Sequence, residues 1–144
     1  MATLSSSKVG AGVQPRTGFE VIPVFGSYSL SAALALNDVV QLVKVPAYAT
    51  ILGGVLRVTD LDTNGTPAIV LDVGDGGDTD RFIDGTTIGQ AGGVMDFHGA
   101  AANSAGFLHQ YTVEDTIDVL VQAAPATGAT SGTIKLLVYY TLQS

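Results

Sequence analysis

The sequence predicts an all-β protein, either a jelly roll or another two-sheet antiparallel β-sandwich, with about eight strands. Short apolar runs that alternate with polar residues recur along the chain, which is typical of half-buried strands. Clusters of Gly, Pro, Asn and Asp separate these runs, as expected for the turns of such a fold. The only helical candidate, Ala32–Leu36, is too short for more than about one turn.

We predict that the chain has two parts. Residues 1–17 are rich in Ser, Gly and other small side chains and should form a flexible N-terminal arm, whereas residues 18–144 should form a single β-sandwich domain. Gly89–Gly106 is the longest irregular segment. The predicted strands lie near residues 19–30, 38–45, 50–60, 66–74, 80–88, 106–113, 116–123 and 132–142.

The alternation is clearest in the last two predicted strands, where apolar residues occupy every second position. Around residues 116–123 these are Ile117, Val119 and Val121, and the final strand continues the pattern from Ile134 to Leu142. The run Val39–Val45 is apolar on both faces, which favours a central or doubly covered strand.

The segment Asp60–Gly65 lies between two runs of Val, Leu and Ile and predicts a β-hairpin. Asn-Gly is the strongest short-range hairpin signal, because a type I′ turn requires positive φ at both central residues. With Asn64 and Gly65 at the tip, the following pairs would face each other: Thr63 and Thr66, Val58 and Leu71, and Arg57 and Asp72.

The composition narrows the possible functions. Of the 144 residues, 47% are hydrophobic and only 13% charged, a balance that fits either a surface partly covered by neighbours or a small sandwich with a Thr, Ser and Gly surface. The net charge of −7 and the scattered basic residues argue against nucleic-acid binding. The absence of cysteine excludes disulfides and thiolate sites. We expect a soluble protein made in the cytoplasm, because no signal peptide and no membrane-spanning stretch is evident.

The acidic residues are concentrated in one zone. Asp60–Gly65 matches the opening of an EF-hand loop, but the twelfth position is Leu71 instead of the closing Glu, and strands flank the loop. A hairpin turn is therefore favoured over a calcium site, which stays open as the alternative. A glycosidase acid pair is disfavoured because these carboxylates should be solvated. The zone contains Asp60, Asp62, Asp72, Asp75, Asp78, Asp80 and Asp84.

No catalytic, cofactor-binding or metal-binding residue is predicted. His98 and His109 have no partner at a metal-binding spacing, and His109 is expected to be a packed or rim residue that shares a strand face with Phe107, Tyr111 and Val113. Gly128–Gly132 lacks the spacing of a nucleophile elbow, and no phosphate-binding Gly-rich motif is present.

Five segments within roughly residues 38–142 carry a resemblance to a known family: Val45–Ile51, Val58–Pro67, Leu71–Ile83, Tyr111–Val119 and Gly132–Tyr139. Together they resemble the small capsid decoration (cement) proteins of tailed bacteriophages.

This resemblance implies a jelly-roll protein without cofactors that binds the outer surface of an HK97-type phage head and stabilises contacts between capsomers. Its implied partners are the major capsid protein of the HK97 type and further copies of itself, as a homodimer or homotrimer, with no nucleic acid and no membrane. The implied location is the outer capsid surface of the virion, after synthesis in the host cytoplasm. The N-terminal arm and the Gly89–Gly106 loop are the expected contact segments.

Two other functions remain as alternatives. One is a glycan-binding β-sandwich module of a phage tail or fibre, which the absence of Trp weakens and calcium dependence would support. The other, less favoured, is a glycan-active enzyme, which would require a pair of carboxylates in a cleft.

Overall fold

The computed structural model describes residues 20–142, so the predicted arm (1–17) and the last two residues lie outside the described part. In chain order, the described part forms eight strands and two short 3-10 helices. The strands are β1 (Ile22–Ser29), β2 (Val39–Val45), β3 (Ala49–Val58), β4 (Val70–Gly74), β5 (Ile83–Thr86), β6 (Gly93–Asp96), β7 (Asp115–Ala123) and β8 (Thr133–Leu142).

The strands form two antiparallel four-stranded sheets that pack face to face. Sheet A has the order β1-β8-β3-β6 and sheet B the order β2-β7-β4-β5. Most connections cross from one sheet to the other, and this strand order is that of a jelly roll. The all-β sandwich predicted from the alternation is therefore confirmed.

Apolar side chains at every second position fill the space between the sheets. In β7 the predicted alternation is confirmed, since Ile117, Val119 and Val121 are fully buried. In β8 it holds from Ile134 to Val138 and is wrong at the end of the strand, where Thr141 is buried and Leu142 is exposed. Two aromatic rings close one end of this core, with the Phe82 and Phe97 centroids 4.9 Å apart in a stacked arrangement. The prediction that Val39–Val45 is a central or doubly covered strand is wrong, because β2 is an edge strand of sheet B. Val39 is exposed, whereas Val40 and Val43 are buried.

Gly26 in β1 lies at a close approach between the two sheets. A Cβ atom at this position would overlap the carbonyl oxygen of Leu42 in β2, so only glycine allows the two backbones to come this close. The edge strands β1 and β2 therefore meet through backbone at this point.

The predicted hairpin around Asn64 and Gly65 is wrong. β3 pairs with β6 and β8, whereas β4 pairs with β5 and β7, so the two strands that should have formed the hairpin belong to different sheets. Neither Asn64 nor Gly65 has the positive φ that a type I′ turn requires. Consequently Arg57 does not face Asp72, and residues 59–69 form a connection from sheet A to sheet B.

Three further element predictions need correction. The predicted strand at residues 106–113 is a 3-10 turn followed by an extended segment with a single bridge, between Gln110 and Thr50. The segment Gly89–Gly106, predicted to be irregular, contains the strand β6, the last two residues of the 3-10 helix Ile88–Gln90 and the whole 3-10 helix Ser104–Gly106. Ala32–Leu36 forms no helix. None of the described helices is long and apolar enough to cross a membrane.

Candidate interaction surfaces

Asp62, in the connection between β3 and β4, is a buried structural residue. Its side chain is 1% exposed, and its carboxylate accepts five backbone N–H groups from three separate segments. The donors are Asn64 at 3.3 Å, Ala68 at 2.7 Å, Ile69 at 3.2 Å, Ala126 at 2.8 Å and Thr127 at 2.8 Å.

These donors explain both the local fold and the charge state of Asp62. Burial alone would raise the pKa of its carboxyl group, but the N–H donors of Ala68, Thr127, Ala126 and Asn64 outweigh burial and hold the pKa well below its usual range. Because N–H groups surround both oxygens, the carboxylate presents no free lone pair to a cation at the loop whose sequence opens like an EF-hand. Within residues 20–142, no group of three or more His, Cys, Asp or Glu is placed to hold a metal ion.

Asp75 organises a second polar cluster, at the end of sheet B. Its carboxylate accepts hydrogen bonds from Arg81 Nε at 2.6 Å, from the Tyr111 hydroxyl at 2.8 Å, and from the backbone of Gly77 and Asp78 at 2.9 Å each. Burial alone would raise the pKa of Asp75, but Arg81 and Tyr111 outweigh it and lower that pKa.

His109 lies at the edge of this cluster, as a packed or rim histidine was expected to. Its Nδ1 is 3.3 Å from Arg81 Nη1, and its ring packs edge-on against Tyr111 at a centroid distance of 4.7 Å. Burial and the Arg81 guanidinium lower the pKa of His109. The predicted shared face is wrong, since Tyr111 is buried while Phe107 and Val113 are exposed.

Two more acidic residues are buried on the outer side of sheet B. Asp72 accepts the Gly85 N–H at 2.8 Å, and burial raises the pKa of Asp72. Asp118, in β7, is 8% exposed, and its Oδ1 has no hydrogen-bond partner in the described part of the chain. Burial also raises the pKa of Asp118. The expectation that the acidic zone is solvated is therefore wrong for Asp62, Asp72 and Asp75.

The solvent side of sheet A, here called the outer face of sheet A, is largely apolar. One row of cross-strand neighbours runs from Phe25 through Leu137 to Val55, and these residues line a shallow depression of about 360 Å³ together with two basic residues. Phe25 is 62% exposed, although it lies in a regular strand. The same face carries Tyr139 and, on β6, Val94.

The basic residues on this face are Arg57 in β3 and Lys135 in β8, which stand directly opposite each other. Neither forms a salt bridge with a residue of the described segment, whereas Lys44 pairs with Glu114 at 2.9 Å and Arg81 with Asp75. Asp96 on β6 shares the face, and its carboxylate accepts the backbone N–H of His98 at 2.7 Å.

A second apolar surface lies beside β3. An open pocket of about 270 Å³ is lined mainly by apolar side chains, including Phe82, Phe97 and Phe107, with His98 at its edge. Leu108, at its rim, is 68% exposed and has a φ of 54°, a conformation that is uncommon for a non-glycine residue. Sequence reasoning missed both apolar surfaces, because an exposed Phe in a strand has the same pattern as a buried one.

Comparison with known proteins places this fold among phage capsid structures. The chain is similar to a chain in the capsid of Ralstonia phage GP4, with 32% sequence identity, a TM-score of 0.77 and coverage of 92% of this chain and 90% of that chain. It is also similar to a chain in the capsid asymmetric unit of cyanophage Pam1, with 26% identity, a TM-score of 0.74 and coverage of 99% and 94%.

A third capsid structure shares the fold alone. A chain in the acid-stable capsid of Helicobacter pylori bacteriophage KHP30 has 15% identity, a TM-score of 0.54 and coverage of 88% of this chain and 94% of that chain. No protein-family model and no curated protein matches the sequence. The identity to the GP4 chain extends over nearly the whole length of both proteins. The chain therefore belongs to a family of structural proteins of phage capsids.

Proposed function

We propose that the chain is a capsid decoration (cement) subunit that binds the outer surface of an HK97-type phage head and stabilises the contacts between capsomers. The observation that carries this proposal is the match to the GP4 capsid chain over 92% of the sequence. The resemblance of residues 38–142 to decoration proteins supports the same role.

The distribution of side chains suits a protein that works by covering a surface. The apolar side chains between the sheets fill the core, while several large apolar residues remain outside it, Phe25 and Leu108 among them. Exposed apolar residues that cluster on one face are typical of interaction sites. A ligand that binds the assembled head but not free subunits stabilises the head by mass action.

The charge supports a position on the outside of the head. A protein with a net charge of −7 would be repelled by the densely packaged DNA that faces the inner surface of the head. The major capsid protein of the HK97 type is the partner in this proposal, and the subunit is a homodimer or homotrimer on the shell.

A sedimentation experiment tests the proposal. Purified protein is mixed with undecorated heads of the parental phage, the heads are pelleted, and the 14.7 kDa band is quantified against the amount added. We expect saturable binding at a fixed copy number per head, and a higher melting temperature of the decorated heads. Heads that are already decorated serve as the control and should bind none.

If the protein does not bind undecorated heads, another function has to be tested. Protein that stays in the supernatant at every concentration would contradict the decoration role. Binding to a glycan array, with and without calcium, would then test the alternative of a glycan-binding module of a tail or fibre. On intact virions, labelling by antibodies against this chain would support the external location.

A further inference from the structure

The outer face of sheet A has an electrostatic arrangement that is unfavourable in the isolated molecule. Arg57 and Lys135 lie directly opposite each other on β3 and β8, and like charges in that position destabilise a sheet. The nearest acidic residue on the face, Asp96, is opposite Val55 and uses its carboxylate on the His98 backbone. Both cations thus have no ion-pair partner within residues 20–142, in a protein with a net charge of −7.

The chain's own N-terminal segment does not suit this face. Residues 1–19 precede β1, the edge strand of sheet A, in the sequence. They contain Lys8 and Arg16 but no acidic residue. The segment would therefore add positive charge to a face that already has two unpaired cations.

A second copy does not suit the face either. A twofold contact through this face would bring the same cations of the two copies together, which opposes association. The acidic residues Asp72, Asp84 and Asp118 belong to strands of sheet B, on the opposite side of the sandwich. A contact between opposite faces is head-to-tail, and it builds an open stack unless its rotation closes a ring.

We infer that the outer face of sheet A is the surface that docks on the major capsid protein, and that it recognises a strip of that protein in which acidic residues flank an apolar row. This inference rests on the proposed function and assigns the face that performs it. In the complex, Phe25, Val55 and Leu137 supply the buried apolar centre, and Arg57 and Lys135 pair with carboxylates of the capsid protein.

Charge-reversal variants with a matched control test this assignment on undecorated heads. Arg57→Glu and Lys135→Glu each change the net charge by the same amount as Lys44→Glu, and Lys44 is an exposed residue on β2 of sheet B. We expect either variant on the outer face of sheet A to weaken binding about tenfold or more, and the Lys44 variant to bind like the wild type. Raising the salt concentration should weaken wild-type binding more than that of the double variant Arg57→Glu/Lys135→Glu.

An apolar pair of variants tests the centre of the surface. Phe25→Ser removes a ring that is 62% exposed, so it should leave the melting temperature nearly unchanged while it weakens binding about tenfold. Val113→Ser, at a residue that is 66% exposed outside this face, should bind like the wild type. Melting curves for each variant confirm that the fold is intact.

The outcomes separate the two proposals. If wild-type protein saturates the heads and the variants on the outer face of sheet A bind equally well, the docking assignment is wrong while the decoration role stands. If only the Lys44 or Val113 variant loses binding, the docking surface lies elsewhere and the assignment is also wrong. If wild-type protein does not bind, the decoration role fails, and the partner assigned to this face fails with it.

Discussion

Replacing Asp75 by Ala is expected to lower the free energy of unfolding at pH 7 by about 3 kcal/mol. The Asp75 side chain is 1% exposed and accepts hydrogen bonds from Arg81 at 2.6 and 3.2 Å, from the Tyr111 hydroxyl at 2.8 Å and from two backbone N–H groups. Removing one partner of a buried ion pair costs about 3–5 kcal/mol, because the other charge loses its compensation. We use the lower limit because the Arg81 side chain is 18% exposed and also lies 3.7 Å from an oxygen of Asp78.

A loss of this size is readily measured. For a domain of this length it corresponds to a decrease of about 6–12 °C in melting temperature. Urea unfolding, followed by circular dichroism, gives the free energy, and calorimetry gives the melting temperature. A decrease of less than about 1 kcal/mol would refute the view that Asp75 holds a buried network together.

Tyr111→Phe provides the matched comparison. It keeps the ring against His109 and removes only the hydroxyl, so Asp75 retains its other donors and the expected loss is about 1 kcal/mol. In the double variant the buried hydroxyl is no longer left unpaired, and we expect it to be more stable than the sum of the single losses predicts by about 1 kcal/mol. Strict additivity would show that the Tyr111–Asp75 hydrogen bond makes no energetic contribution.

The contribution of Asp75 to the free energy of unfolding should decrease in acid. The pKa of Asp75 is lower in the folded protein than the ordinary value of 3.8. Its stabilising contribution is therefore fully present above about pH 4 and is lost as the pH falls through the lower, folded pKa. The difference in stability between wild type and Asp75→Ala should accordingly shrink in acid, which unfolding curves between neutral and acidic pH would measure.

Three further changes give predictions of different kinds. Asp118→Asn should stabilise the fold at pH 7 by up to about 1 kcal/mol. Burial raises the pKa of Asp118, so the folded wild type loses stability as the pH rises through that raised pKa, and the neutral Asn avoids this loss. A lower melting temperature of the variant at pH 7 would contradict this prediction. Gly26→Ala should destabilise by about 1–3 kcal/mol through the overlap with the Leu42 carbonyl, as urea unfolding would show, and an unchanged midpoint would contradict it. Deleting residues 2–17 should weaken head binding or assembly and leave the melting of the β-domain intact, whereas unchanged binding of the truncated protein would count against a role for the arm.

The parts of the fold that sequence predicted are those in which burial and alternation agree. In β7, and in β8 as far as Val138, apolar residues at every second position are buried, so the apolar pattern alone locates these strands and their inner faces. β6 escaped prediction because it is only the four residues Gly93–Asp96, flanked by glycine-rich turns, and its place beside β3 depends on pairing with a distant strand. Local pattern contains no information on such a pairing.

The hairpin prediction failed because side chains determined the local structure at Asp60–Gly65. Asp62 attracts N–H groups from residues 68–69 and 126–127, and Asn64 binds the Thr127 hydroxyl at 2.8 Å, so the segment is tied to the connection between β7 and β8. The partners at residues 126–127 are more than sixty positions away along the chain. The sequence therefore identified the turn-forming residues but not the distant segment that would form hydrogen bonds with their side chains.

The outer face of sheet A, the candidate docking face, could not be predicted from the sequence either. Arg57 and Lys135 are separated along the chain and become neighbours only through the β3–β8 register. Phe25 follows the same alternation as the core residues, and only the packing of the sheets shows that it faces outward.

The position of β8 has a consequence for how the molecule is made. Among the strands of residues 20–142, β8 comes last in the sequence, yet it lies between β1 and β3 in sheet A and pairs with both. A nascent chain on the ribosome therefore cannot complete sheet A until β8 has emerged, because β1 has no other partner among the described strands of that sheet. A chain that is cut off before β8 leaves open edges on β1 and β3 that can aggregate.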